Sequence, residues 1–145
     1  MQKIFILADS FFIYSLFAQR GDFTLNIRID NMCYTEKPQN YVLINKRLAE
    51  GGTIDLTWLE VCDLVGNKGH AFRVADFIGN KRNKENFKSQ QLFALDFDGN
   101  ADYDKISAVA ERYGLPIALA YETLSSVHGD RFRIVFKTAF PICDI

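Results

Sequence analysis

Four segments in the second half constrain this chain more tightly than anything else in it. "LFALDFD" (92–98) opens with an unbroken apolar run, Leu92 to Leu95, with the length and character of a buried strand. "DYDKISAVAERYG" (102–114) sets Ile106, Val109, Ala110 and Tyr113 at i, i+3, i+4 and i+7, one face of an amphipathic helix. Asp102 is placed to cap that helix, Asp104 suits the positive end of its dipole, and Gly114 ends it. "LPIALAYE" (115–122) and "RFRIVFKTAF" (131–140) read as two further strands, the last with Phe132, Val135 and Phe136 among its apolar residues. Few folds accept the order strand, helix, strand, strand.

That order brings polar residues together. Two strands joined by a crossover helix run parallel, so strands 92–97 and 116–122 end at the same edge of a sheet. The loop "TLSSVHGD" (123–130) leaves from that edge. Asp96, Asp98, Ser125, Ser126, His128, Arg131 and Arg133 are therefore expected at one rim. The expected class is α+β, and β-α-β-β is the first two-thirds of a split β-α-β, ferredoxin-like sheet. The closing helix and strand do not follow before Ile145, so this sheet is expected to be cut short at its C-terminus.

The first half is less regular. "FTLNIRID" (23–30) alternates Phe23, Leu25, Ile27 and Ile29 with Thr24, Asn26, Arg28 and Asp30, the pattern of a half-buried strand. "NYVLIN" (40–45) reads as a second strand. "TWLE" (57–60) is a capping box opening a helix with Trp58, Val61, Cys62 and Val65 on one face and Gly66 as its stop. Residues 67–90 carry Lys68, Arg73, Lys81, Arg82, Lys84 and Lys88 against Asp76 and Glu85, a local excess of positive charge in a chain of net charge -1. This segment reads either as a solvated connector or as a contact for a phosphate backbone through Lys81, Arg82, Lys84 and Lys88, with Phe87 as a stacking surface. The expected organisation is an α/β module over 1–90, with 67–90 as basic connector, and the partial sheet module over 91–145.

Composition narrows the class further. A 145-residue chain suits one domain with a real core, or one and a half small modules. The N-terminal "MQKIFILADSFFIYSLFAQRG" is interrupted by Asp9 and Ser10, so it reads as part of the fold rather than as a signal peptide. No stretch approaches the roughly 20 apolar residues of a membrane span, and no membrane partner is expected. Cys33, Cys62 and Cys143 lie far apart without metal-site spacing, which suggests reduced thiols and a cytoplasmic protein.

The chemistry of the rim begins with Asp96 and Asp98. Side chains at i and i+2 of a strand share a face, and two carboxylates so close repel unless a positive group lies between them. Two aspartates supply the hard oxygen ligands that Mg²⁺ or Mn²⁺ prefers. Arg131 and Arg133, again i and i+2, suit bidentate contact with a phosphate, and His128 suits a phosphate oxygen or a proton transfer near neutral pH. Each feature also has a plainer reading: "DGN" as a turn, the arginines as protective edge charges, the histidine as a solvated loop residue.

The motifs at these positions resemble those of the archaeo-eukaryotic primase superfamily, in particular its phage and plasmid replication branch. Leu92-Phe93-Ala94-Leu95-Asp96-Phe97-Asp98 matches that superfamily's hhhDhD motif, and Ser126-Val127-His128 matches its sxH motif. "GHAFRVADFIGNKRNKENF" before the acidic pair and "YETLSS" with "RFRIVF" after it also look like this branch. The resemblance runs from about Gly66 to Ile142. It implies an RRM-like catalytic sheet beside an N-terminal α/β module, and metal-dependent nucleotidyl transfer for primer synthesis. By this likeness Asp96 and Asp98 bind the catalytic Mg²⁺ or Mn²⁺. His128 joins them in catalysis, and Ser126, His128, Arg131 and Arg133 contact the incoming nucleotide. The implied partners are nucleoside triphosphates, a single-stranded DNA template, and a helicase or other replication domain beyond the C-terminus. One departure stands out: the family's third acidic motif lies well downstream of sxH, and Asp144 is too close to serve. The chain is then either an N-terminal piece of a longer protein, the favoured expectation because the sheet is left unfinished, or a degenerate member without the full site.

Two alternatives use the same residues. A haloacid dehalogenase-like phosphatase opens with hhhDxDG, Asp96 being the nucleophile and Asp98 the general acid, and has a later strand ending near a residue such as Thr123. Asn100 stands where that family has Thr or Val. A non-catalytic RRM-like module would instead bind single-stranded nucleic acid on its sheet, although "LFALDFDG" lacks the RNP aromatic pattern.

Overall fold

The computed structural model describes residues 24–79, 81–99 and 101–144. The reading of the N-terminal stretch, and of Phe23, lies outside them. Over these residues the chain is α+β, with two antiparallel sheets and three helices.

The first sheet has the order β2-β1-β3: β1 is Thr24–Cys33, β2 Ile54–Thr57 and β3 His70–Arg73. Leu25 and Ile27 of β1 are buried and Thr24 and Asn26 exposed, as alternation requires. The alternation fails at Asp30, expected on the wet face and instead buried. The register between β1 and β3 shifts between Ile29 and Cys33, and this irregularity turns Asp30 inward.

Between β1 and β2 the chain forms helix α1, Tyr41–Glu50, and this corrects the strand expected at 40–45. Asn40 accepts the Leu43 amide as N-cap, and Ile44 and Leu48, four residues apart, are the buried pair. A short apolar run such as "YVLI" fits a strand and a buried helix equally well. The cap and the continuation through "NKRLAE" decide for helix.

Helix α2, Trp58–Val61, opens on the expected capping box: the Glu60 amide donates to Thr57 Oγ1, and the Thr57 amide donates back to Glu60. It runs on as a π-helical segment, Cys62–Asn67, and Val61 and Val65 are buried. Gly66 is not its stop. It is buried inside the segment, and the positive φ that redirects the chain belongs to Gly69, at 72°.

The second sheet has the order β4-β5-β7-β6: β4 is Ala75–Phe77, β5 Phe87–Asp98, β6 Ile117–Glu122 and β7 Arg131–Ile142. Helix α3, Tyr103–Arg112, connects β5 to β6, with Asp102 as its N-cap. Both β5 and β6 pair antiparallel with β7, which lies between them, so β5 and β6 are parallel to each other. Asp98 pairs with Arg131 and Glu122 with Phe132, so both strands end beside the start of β7. Helix α3 buries Ala110 and packs Tyr103 and Ile106 against Phe132, Ile134 and Ala120. Val109 and Tyr113, expected on the same face, stay exposed because the contact runs through 103, 106 and 110.

Most of the segment expected as a basic connector is ordered secondary structure: β3, β4, the 3₁₀ turn Lys84–Asn86 and the start of β5. The chain passes from one sheet to the other between Arg73 and Ala75, and residues 90 and 91 lie within β5. A single cluster of buried side chains joins the two sheets. It takes Leu25 and Ile27 from β1, Val61 and Val65 from the α2 segment, Leu92 from β5, Leu119 and Tyr121 from β6, and Val135 from β7.

Candidate functional site

The face of β5 that looks toward the first sheet explains where the site falls. Leu92 belongs to the shared core and Ala94 packs against it. Asp96 and Asp98 continue the same face, two and four residues on from Ala94. The seam between the sheets is therefore apolar along one stretch and charged at its end. There it widens into a cavity of about 310 Å³. Asp96, Asp98, Arg133, Tyr121, Thr123 and Ser125 line it from the second sheet and its loop, and Tyr34, Lys37, Tyr41 and His70 from the first half of the chain.

Cross-strand arginines relieve the repulsion between the two carboxylates. Asp96 is in register with Arg133 and Asp98 with Arg131. Arg133 grips Asp96 in a fork, Nε to Oδ1 at 2.5 Å and Nη2 to Oδ2 at 2.9 Å. Its Nη1 donates to the Tyr121 hydroxyl at 3.3 Å. Burial raises the Tyr121 phenol above its ordinary range despite the Arg133 charge beside it, so it stays protonated at neutral pH. Arg131 Nε lies 3.9 Å from Asp98 Oδ1, an ion pair too long for a hydrogen bond, and the Asp98 side chain is 79% exposed. The two pairs are unequal: Asp96 is firmly held and Asp98 is open to water.

The loop after β6 is shaped by its own polar groups. Asp130 accepts the Val127 amide at 2.7 Å and the Ser126 hydroxyl at 3.4 Å, and Ser126 Oγ accepts the Arg131 amide at 3.4 Å. Thr123 and Ser125 share a hydrogen bond at 3.2 Å. His128 has φ of 65°, a left-handed conformation uncommon outside glycine. Of the expected site residues, Asp96, Asp98 and Arg133 line the cavity. Ser126, His128 and Arg131 belong to the adjoining loop and strand start but not to its lining. Lys81, Arg82 and Lys84 are exposed away from it, and Lys88 pairs with Asp76 at 2.9 Å. Phe87, considered as a stacking surface, meets Phe77 edge-on at 6.0 Å.

The opposite wall was not legible as a site. His70 Nδ1 lies 2.8 Å from the Asp30 carbonyl oxygen. A carbonyl only accepts, so Nδ1 carries the proton and Nε2 is the acceptor nitrogen of the neutral ring. Beneath this wall Asp30 is buried and grips Arg47 at 2.7 and 2.9 Å, while the Tyr34 hydroxyl donates to it at 2.6 Å. Arg47 also donates to the Tyr34 hydroxyl. Burial alone would raise the Asp30 pKa; the Arg47 and Tyr34 hydrogen bonds and the Met32 amide outweigh it and hold the carboxyl below its usual range. Tyr34 is thus anchored by its polar end.

As a metal site the pair fits Mg²⁺ in chemistry, an ion commonly held by one or two carboxylates with substrate oxygens and water completing its shell. Asp96 and Asp98 supply hard oxygens. Among the described residues no cluster of three or more His, Cys, Asp or Glu side chains is suited to a metal ion. No helix among the described residues is long and apolar enough to cross a membrane. No family model, curated protein or solved structure matches the chain.

Proposed function

We propose that the cavity between the two sheets is a nucleoside-triphosphate site of the primase-polymerase type. The observation that carries this reading is one lining that combines Asp96, Asp98 and Arg133 with Lys37 and two tyrosines, Tyr34 and Tyr41. The cavity falls at the small end of the range for ligand pockets, about 300–1,000 Å³. Tyrosine rings offer a sequence-tolerant surface for a base, and Lys37 and Arg133 offer charge to phosphate oxygens. The order β4-β5-β7-β6, with β7 between two parallel strands, supports an RRM-like sheet.

On this reading the Asp96–Arg133 fork is a resting arrangement. Arg133 leaves Asp96 for a phosphate oxygen, and Asp96 and Asp98 become available to Mg²⁺ or Mn²⁺. Each charged group exchanges one partner of opposite charge for another, so none is left buried and unpaired. The bound metal supplies neutralisation of triphosphate charge. His128 lies on the neighbouring loop, where it serves the phosphates only if that loop folds inward. Lys81, Arg82 and Lys84 form a separate exposed basic strip for a template backbone.

Mn²⁺-dependent binding of a labelled nucleoside triphosphate tests the proposal. Asp96→Asn/Asp98→Asn is expected to weaken it at least about tenfold and to abolish its metal dependence. The fully compensated Asp96 favours one rival, a non-catalytic nucleic-acid module. Single-stranded DNA binding that needs no metal and survives the double substitution would establish that rival instead.

A further inference from the structure

The cavity wall contributed by the first half of the chain is organised around one residue. Asp30 is buried where the register of β1 against β3 breaks. Its carboxylate accepts from the Tyr34 hydroxyl at 2.6 Å, and its backbone carbonyl accepts from His70 Nδ1 at 2.8 Å. A single inward-turned residue thus holds two side chains that line the cavity. The second bond also fixes the state of the imidazole. With Nδ1 committed to donating, Nε2 of the neutral ring can only accept. His70 is half-buried, and its Nε2 meets no partner among the described residues. Nor is that nitrogen buried, so it keeps surface open to water.

A fixed, open acceptor has a definite chemical preference. Phosphate oxygens are themselves acceptors and offer it nothing. The groups suited to a triphosphate and its metal, Arg133, Asp96 and Asp98, stand on the opposite wall. A nucleoside carries its donors elsewhere, on sugar hydroxyls and base amino groups. Tyr34 and Tyr41 share the wall of His70 and offer the base a surface there. We propose that His70 presents Nε2 to the cavity and accepts a hydrogen bond from an O–H or N–H group of the bound nucleoside, as a specificity-determining residue. This inference rests on the nucleoside-triphosphate reading and adds to it the side chain that tells one nucleotide from another. A ligand that lacks the matching donor leaves Nε2 unpaired against it, and a site that recognises a polar group in this way rejects analogues without it.

Binding of ATP with Mn²⁺, compared with analogues that each lack one donor of the nucleoside, tests this. The 2′-deoxy and 3′-deoxy triphosphates lack a sugar hydroxyl, and purine riboside triphosphate lacks the amino group. One analogue is expected to bind the unaltered protein about tenfold more weakly than ATP. In His70→Phe that difference is expected to vanish, ATP falling to the level of the analogue. Equal binding of ATP and every analogue by the unaltered protein, or a deficit that His70→Phe retains, would overturn the proposal. If His70→Phe fails to fold, ¹⁵N spectra of the histidine rings decide on the unaltered protein, which has two histidines to assign. The unprotonated Nε2 resonance of His70 is expected to move upfield as ATP saturates the site, and an unmoved resonance overturns the proposal. Failure of ATP to bind at all would instead remove the triphosphate reading, and this inference with it.

Discussion

At the scale of single residues, two aspartates on neighbouring sheets face opposite situations. Asp30 is buried with both oxygens engaged, whereas the Asp96 side chain is more than half exposed despite its guanidinium fork. Asp30→Asn leaves Arg47 without its counter-ion in a part-buried position, and about 2–4 kcal/mol of stability should be lost in urea titrations. In the Asp96–Arg133 pair the carboxylate itself is more than half exposed, so Asp96→Asn should cost less, about 1 kcal/mol, and a melt of that variant separates loss of nucleotide binding from a folding defect. The pH dependence follows from the same carboxylates. Asp30 and Asp76 have folded pKa values below their unfolded ones, Asp76 because Arg28 and Lys88 outweigh the effect of burial. Their contribution is fully present above about pH 5 and is lost as pH falls through the folded pKa. Melts between pH 6 and pH 2 should show a steep acid limb that Asp30→Asn flattens.

At the scale of elements, local signals succeeded where a side chain acts on its own backbone. The Thr57–Glu60 capping box and the Asp102 cap are such cases, and both are found as expected. Thr57→Ala should cost about 1 kcal/mol, measured by chemical denaturation. The loop after β6 carries a local conflict. His128 occupies a left-handed conformation that glycine accepts freely, so His128→Gly should raise stability by about 0.5–1 kcal/mol. If the same variant also weakens triphosphate binding, the side chain is retained for function against its backbone preference. The strand expected at 40–45 failed for the complementary reason: its apolar pattern carried no period, and the cap at Asn40 and burial of Ile44 and Leu48 decided the outcome.

At the scale of the whole molecule, the buried cluster that links β1, α2, β5, β6 and β7 makes the two sheets interdependent. Leu25→Ala should therefore cost about 2–5 kcal/mol and lower the stability of both sheets together. Trp58, the only tryptophan of the chain, packs against that cluster, and Lys137 of β7 lies over its ring at 5.8 Å. Its fluorescence and far-ultraviolet circular dichroism should report one coincident unfolding transition. Two separated transitions would mean that the halves fold as independent modules.

The amino-acid sequence alone determined the order of strands and helix over 92–142, the caps of α2 and α3, and the meeting of Asp96, Asp98, Arg131 and Arg133 at one sheet edge. Periodicity, capping chemistry and crossover topology act over a few residues or one connection, so they can be read along the chain. Only the tertiary structure decided that Arg133 lies in register with Asp96, that Tyr34, Lys37, Tyr41 and His70 form the opposite wall, and that Asp30 and Arg73 are buried. Those facts depend on how two sheets distant in sequence pack face to face. Side-chain pattern says which face of a strand is apolar, but not which other element will cover it.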